Sequence, residues 1–142
     1  GRVYLCPETM GKINQLGTLE EVLELCKLDD MIIPCIDFGH LNARTGGGLK
    51  TKKDFDIIYN ILKNNLGKDK LKLLHTHFSY IEYTAGGEKQ HLTFNNSKGF
   101  GPDYRLMIDM LCEKEISARI ICESRGTQAN DAAEMKNYYI KK

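Results

Sequence analysis

Four apolar runs recur along this chain, and each ends on a carboxylate or an imidazole. They read VYLCPE to Glu8, MIIPCID to Asp37 with His40 just beyond, LKLLH to His75 with His77 after it, and ARIICE to Glu123. A continuous apolar run such as 31–37 is the pattern of a parallel strand covered on both faces. Between the runs lie segments with helical periodicity, so the order is βαβαβαβα. That order implies a parallel sheet with right-handed crossovers. Acids and imidazoles at the ends of apolar strands are costly unless something compensates their burial. A shared metal cluster does so, because carboxylates and neutral imidazoles are the usual ligands of Zn²⁺ and Mn²⁺.

The strands are predicted at 2–8, 31–37, 70–78 and 117–123, and the helices at 18–28, 54–66, 102–115 and 129–141. The first helix has an apolar face of Leu19, Val22, Leu23, Leu25 and Cys26, and Thr18 with Glu21 forms a capping box. Asp54 is the expected N-cap of the second helix and Gly67 its stop, while Pro102 suits a first-turn position in the third. The longest irregular stretches, 38–53 and 79–101, each follow a strand and precede a helix.

Four βα units with polar residues at the C-terminal strand ends describe part of a (β/α)₈ barrel and its catalytic face. A closed barrel needs about 200 residues or more, whereas this chain has 142. The expectation is one α/β domain over 1–142, a (βα)₄ half-barrel that forms the C-terminal portion of a longer protein. Strands 2–6 and 118–123 would then be open edges, which invite pairing with the missing N-terminal half or with a second copy in a homodimer.

A net charge of +1 makes no broad electrostatic case for nucleic acid or membrane binding. No apolar run is long enough to span a bilayer, and the N-terminus has no signal-peptide pattern. Five cysteines without CxxC spacing read as buried reduced thiols of a cytoplasmic protein.

Asp37 and His40 are spaced to aim at one site or at two adjacent metals. His75 and His77 share one strand face by the period of two. Glu88 and His91 lie in the long loop that follows. Taken singly, each has a bland reading as a cap, a salt-bridged core group or a solvated side chain. The agreement of four strand ends favours the metal reading. Arg44, Lys50, Lys52 and Lys53 make the 41–53 loop basic, which suits contact with phosphates and equally suits a solvated loop. Neither a GxGxxG after a strand nor a Walker A pattern is present.

Pro7-Glu8-Thr9-Met10-Gly11, Gln15-Leu16-Gly17 and Glu20-Glu21-Val22-Leu23 resemble the fifth strand and helix of endonuclease IV. Asp37-Phe38-Gly39-His40, then Gly48-Leu49-Lys50-Thr51 and Phe55, resemble its Asp-x-x-His strand end and the following loop. Leu74-His75, His91 with Gly99-Phe100-Gly101, and Ile121-Cys122-Glu123-Ser124 continue the resemblance to the end of that barrel. Endonuclease IV is a zinc-dependent family that acts at abasic sites in DNA, with a xylose isomerase-like TIM barrel. The resemblance implies two or three Zn²⁺ in a full-length site, with Mn²⁺ the alternative, and metal-assisted phosphodiester hydrolysis. By position, Glu8 would bridge two metals, Asp37, His75 and Glu123 would hold one, and His40 and His91 another. Arg44, Lys50 and Lys52 would contact DNA.

The chain departs from that family in three respects. Lys89 stands where the family has Asp, with Glu88 one residue away. His77 stands where the family has Asn, so His75 and His77 both remain candidates. The two His ligands of the barrel's first half are absent.

Sugar isomerases and epimerases of the same superfamily are the alternative. Their site takes Glu, Asp, His and Glu from four successive strand ends around one ion, and Glu8, Asp37, His75 and Glu123 fit it. There the catalytic pair, Glu8 and Glu123, would shuttle a proton at carbon next to a carbonyl. His40 and His91 lie outside that set.

Overall fold

A computed structural model describes residues 3–142, so Arg2, where the first strand is expected to begin, lies outside the described residues. The parallel sheet runs in sequence order from residues 5–8 to β1 (Cys35–Asp37), β2 (His75–Phe78) and β5 (Arg119–Cys122). Helices α1 (Leu19–Leu25), α3 (Lys52–Lys72), α4 (Tyr104–Glu113) and α5 (Gln128–Ile140) alternate with these strands. This is the arrangement of a partial (β/α)₈ barrel.

The strands are shorter than expected, for local reasons. Residues 5–8 touch the sheet only through parallel bridges, Leu5 to Ile32 and Glu8 to Cys35. Pro7 and Pro34 stand at matching positions between these bridges, and neither has an N–H to give to a ladder. Gly67 ends the first helical segment as expected: at φ +72° and ψ 172° it leaves helical geometry, and a second short segment within α3 runs on to Lys72, so β2 begins only at His75. The continuation is held by Lys70, whose ammonium donates to the carbonyls of Cys26 at 2.5 Å and Asp29 at 2.9 Å. Pro102 precedes the N-cap of α4, which is Asp103.

Two elements are additions to the expected order. Helix α2 (Phe38–Arg44) starts directly on β1, with Asp37 as its N-cap. Strands β3 (Tyr80–Thr84) and β4 (Gly87–Leu92) form an antiparallel hairpin inside the stretch expected to be irregular.

The sheet's two faces differ as the period of two requires. On β2, Thr76 and Phe78 are buried among the helices, whereas His75 and His77 point to the other face and stay partly open. Register places Cys35, His75 and Arg119 side by side on that second face, with Asp37, His77 and Ile121 one pleat further along. The core between sheet and helices holds Leu23, Ile36, Phe38, Phe55, Leu62, Phe78, Met107 and Met110. Phe38 and Phe55 stack in it with ring centroids 5.5 Å apart.

All five cysteines are free. Cys26, Cys35 and Cys122 are buried, Cys112 is partly so, and Cys6 is exposed rather than buried as expected. Among the described residues no helix is long and apolar enough to cross a membrane.

Phe55 joins α3 to the aromatic start of α2, so Phe55→Ala opens a cavity beside the elements that carry the site. Its expected cost is about 3–5 kcal/mol, read as a fall in the urea midpoint at unchanged m-value. A loss below 1 kcal/mol would show that this stack does not hold α2 and α3 together.

Candidate metal centre

Asp37 ends β1 and caps α2, and both roles fix its side chain. Oδ1 accepts the His40 backbone N–H at 2.7 Å. The Asp37 N–H donates to Thr9 Oγ1 at 2.9 Å, and the Thr9 hydroxyl donates to the Asp37 carbonyl at 3.3 Å. The carboxylate is wholly buried, yet Oδ2 has no hydrogen-bond partner. Burial pushes this carboxyl upward in pKa, against the pull of His40.

The three-residue spacing from Asp37 to His40 is one turn of α2, which turns the imidazole back over the strand end. His40 Nδ1 lies 2.8 Å from the Thr9 carbonyl. An N–H donated there leaves the Nε2 lone pair free, and Nε2 faces Glu88 Oε2 at 3.4 Å. Nδ1 also lies 3.4 Å from Glu8 and 3.5 Å from Asp37. Burial lowers the His40 pKa, but Glu8 and Asp37 outweigh it and hold the ring at about 9.

His77, rather than His75, meets the carboxylates. Its Nδ1 is 3.1 Å from Glu8 and 3.2 Å from Glu123. Its pKa is raised, chiefly by the Glu8 hydrogen bond. Burial pushes Glu8 up, but its bonds to His40 and His77 prevail and bring it to about 2. One ligand atom from each of Glu8, Asp37, His77 and Glu123 lies within 4.8 Å of all the others. His75 sits one pleat below, beside Cys35, and burial and the neighbouring His77 lower its pKa.

A second group, within the same 4.8 Å limit, is His40, Glu88 and His91. The hairpin supplies two of the three, and a bulge aims them. The register shifts between Glu82 and Tyr83, which leaves Lys89 as an extra residue on β4. In a regular strand, residues three apart such as Glu88 and His91 would face opposite sides. With the extra residue, Glu88 Oε1 lies 3.4 Å from His91 Nε2, and Lys89 turns away to Glu82 at 2.5 Å. Ser79 Oγ holds His91 Nδ1 at 2.8 Å. The hairpin tip is docked by Glu88 N–H to the Gly11 carbonyl at 2.9 Å. A Cβ on Gly11 would stand 2.7 Å from both Cβ and Oε2 of Glu88, so only glycine allows this approach.

The basic loop residues have other tasks. The Arg44 guanidinium donates to the carbonyls of Met10, Lys12, Ile13 and Gln15, bracing the 10–15 loop. Lys52 pairs with Asp56 at 3.2 Å and Glu113 at 2.6 Å. Lys50 is exposed.

The residues fit a cation. Two imidazoles are oriented through Nδ1 by an oxygen, which leaves Nε2 toward Glu88, and a buried carboxylate oxygen awaits a partner. The orienting groups Thr9 and Ser79, and the bulge that pairs Glu88 with His91, escaped the sequence reading. The alternation of YIEYT and EKQHL around Ala85-Gly86 is a hairpin signal, but the bulge has none.

A family model described as xylose isomerase-like TIM barrel matches residues 2–140. The chain is also 40% identical over 136 residues to the uncharacterized protein MJ0133 of Methanocaldococcus jannaschii. That similarity covers 96% of this chain and 48% of the relative, so the chain spans about half the relative's length. The chain belongs to the xylose isomerase-like TIM barrel family.

Proposed function

We propose that this chain carries the acid- and imidazole-rich half of a polynuclear zinc centre that hydrolyses a DNA phosphodiester at an abasic site. The observation that supports this is adjacency. The group of Glu8, Asp37, His77 and Glu123 abuts the group of His40, Glu88 and His91, with Glu8 3.4 Å from His40. A one-ion centre is complete with the first group and leaves the second without a task. Two adjacent groups suit two ions, which when bound act as Lewis acids toward the charge that builds on a transferring phosphoryl group.

The chain's own residues do the positioning. Thr9 and Ser79 hold the rings of His40 and His91, so both Nε2 atoms face Glu88. Asp37 is fixed between strand and helix, and Glu8 stands between the two groups, placed to bridge them. Glu8 and Glu123 are the more open carboxylates, on the side from which a phosphate enters. Zinc suits imidazole–carboxylate sets, and Mn²⁺ is the alternative. Lys50 is the exposed cation suited to a DNA phosphate, while Arg44 shapes the loop from behind.

Elemental analysis of the zinc-loaded chain is expected to find two ions at these two groups, so that His91→Ala holds one ion fewer than the unaltered chain. Gly11→Ala, which crowds Glu88, is expected to weaken the second ion roughly 10–100-fold, the usual effect of disturbing a supporting group. A zinc count that His91→Ala leaves unchanged would favour the second reading, a sugar isomerase or epimerase. Its proton transfer needs only Glu8 and Glu123 around one ion, and the first group alone supports that. A full-length barrel carrying this segment is expected to incise duplex DNA at an abasic site, and to stop when a chelator removes the metal. No incision with zinc or manganese supplied, together with turnover of a ketose, would replace the nuclease reading with the isomerase one.

Residues 5–8 and β5 are the outer members of the parallel sheet, and Val3, Leu5 and Ile121 are exposed. These edges suit pairing with the other half of a barrel, or with a second copy of this chain. Gel filtration of the chain alone at micromolar concentration is expected to show self-association. A folded monomer there would rule the second copy out.

A further inference from the structure

We propose a separate metal site at Cys35, His75 and His77, one pleat below the carboxylate groups, that takes zinc through a thiolate and two imidazoles. One ligand atom from each of the three residues lies within 4.8 Å of the other two. Cross-strand register builds the site. Cys35 and His75 are directly paired on neighbouring strands, and His77 follows His75 on the same face. No local Cys spacing announces it, because its ligands are 40 residues apart in sequence.

The chemistry of the three residues differs from that of the groups above them. Sulfur with two imidazole nitrogens is a softer set than carboxylates, and it selects zinc over manganese or magnesium. His40, His77 and His91 are each oriented by an oxygen, but His75 enters none of those bonds. Its ring lies 5.1 Å from that of His77, nearly perpendicular to it. Cys35 is buried, so its sulfur is closed to solvent and to casual oxidation. When the sulfur takes the cation, the thiol proton leaves to solvent. His77 belongs to both this group and the carboxylate group. Its Nδ1 faces Glu8 and Glu123; with Nδ1–H donated to Glu8, the Nε2 lone pair would serve the lower ion, and with both ions bound the ring would bridge them as imidazolate, its N–H proton released to solvent. The inference does not depend on the reaction assigned above.

The test is a titration of the chain with cobalt(II), read by the near-ultraviolet thiolate-to-cobalt charge-transfer band. The band is expected to saturate at the intensity of one thiolate–cobalt bond per chain, to vanish in Cys35→Ser, and to persist in Cys6→Ser. His75→Ala, at a partly open position, is expected to weaken it by more than the roughly 10–100-fold of losing a supporting group. His91→Ala, in the group that shares no residue with this site, is expected to keep the band. That separates failure of this site from failure of the nuclease centre. Cobalt bound without the band, or a band of full strength in Cys35→Ser, would overturn the proposal. If Cys35→Ser does not fold by circular dichroism, His75→Ala decides, and an unchanged cobalt affinity there would overturn it.

Discussion

Asp37 is where strand, helix and site meet. Its backbone completes β1, its Oδ1 caps α2, and its Oδ2 is buried without a partner beside Glu8, His40 and His77. Each role restricts the others. The cap starts a helix with no loop between, and that helix swings His40 back over the sheet after one turn. The reciprocal bonds with Thr9 then tie the strand containing Glu8 to β1, where Pro7 and Pro34 have removed ladder hydrogen bonds. A carboxylate is a costly choice for such a position. Asparagine would cap the helix about as well without the charge, so the charge is explained by the site rather than by the fold.

The hairpin makes a comparable trade. A regular ladder would put Glu88 and Gln90 on one side and His91 on the other. One extra residue turns that alternation into an i, i+3 pair on a common side, and the glycines at 11 and 87 let the tip lie against the 10–13 segment. Gly87 takes φ +88°, and a Cβ there would stand 2.3 Å from the Gly11 carbonyl. The departure at Lys89 is therefore consistent with the geometry: Lys89 is the bulged residue and leans on Glu82, while Glu88 faces the imidazoles.

This contrast shows what was legible in the sequence. The order of strands and helices was readable, because apolar runs and the Thr18–Glu21 capping box are local signals; Asp54, expected as an N-cap, is instead the N3 partner of the N-cap Thr51. The convergence of Glu8, Asp37 and Glu123 followed from parallel order alone. The lengths were less readable. A second helical segment follows the break at Gly67, where Lys70 finds carbonyls of the α1–β1 connection, a contact distant in sequence. The choice between His75 and His77 was not readable either. Both lie on one face by the period of two, and only register shows which lies level with Asp37. The same register puts the other beside Cys35.

Protons and a metal ion would compete for the ligand atoms of this face. Without a cation, His40 is held charged to about pH 9 and Glu8 is ionised down to about 2, so the His40 imidazolium stands among the carboxylates. Asp37 responds differently. Its deep burial drives it toward the neutral acid and outweighs the pull of His40, whose Nδ1 lies 3.5 Å from Oδ2. A cation would displace the imidazole protons and supply the charge at closer range, which makes ionised Asp37 affordable. The cluster is thus at its least satisfied when only protons fill it. A purely structural ion-pair network would be expected to be complete without a further guest.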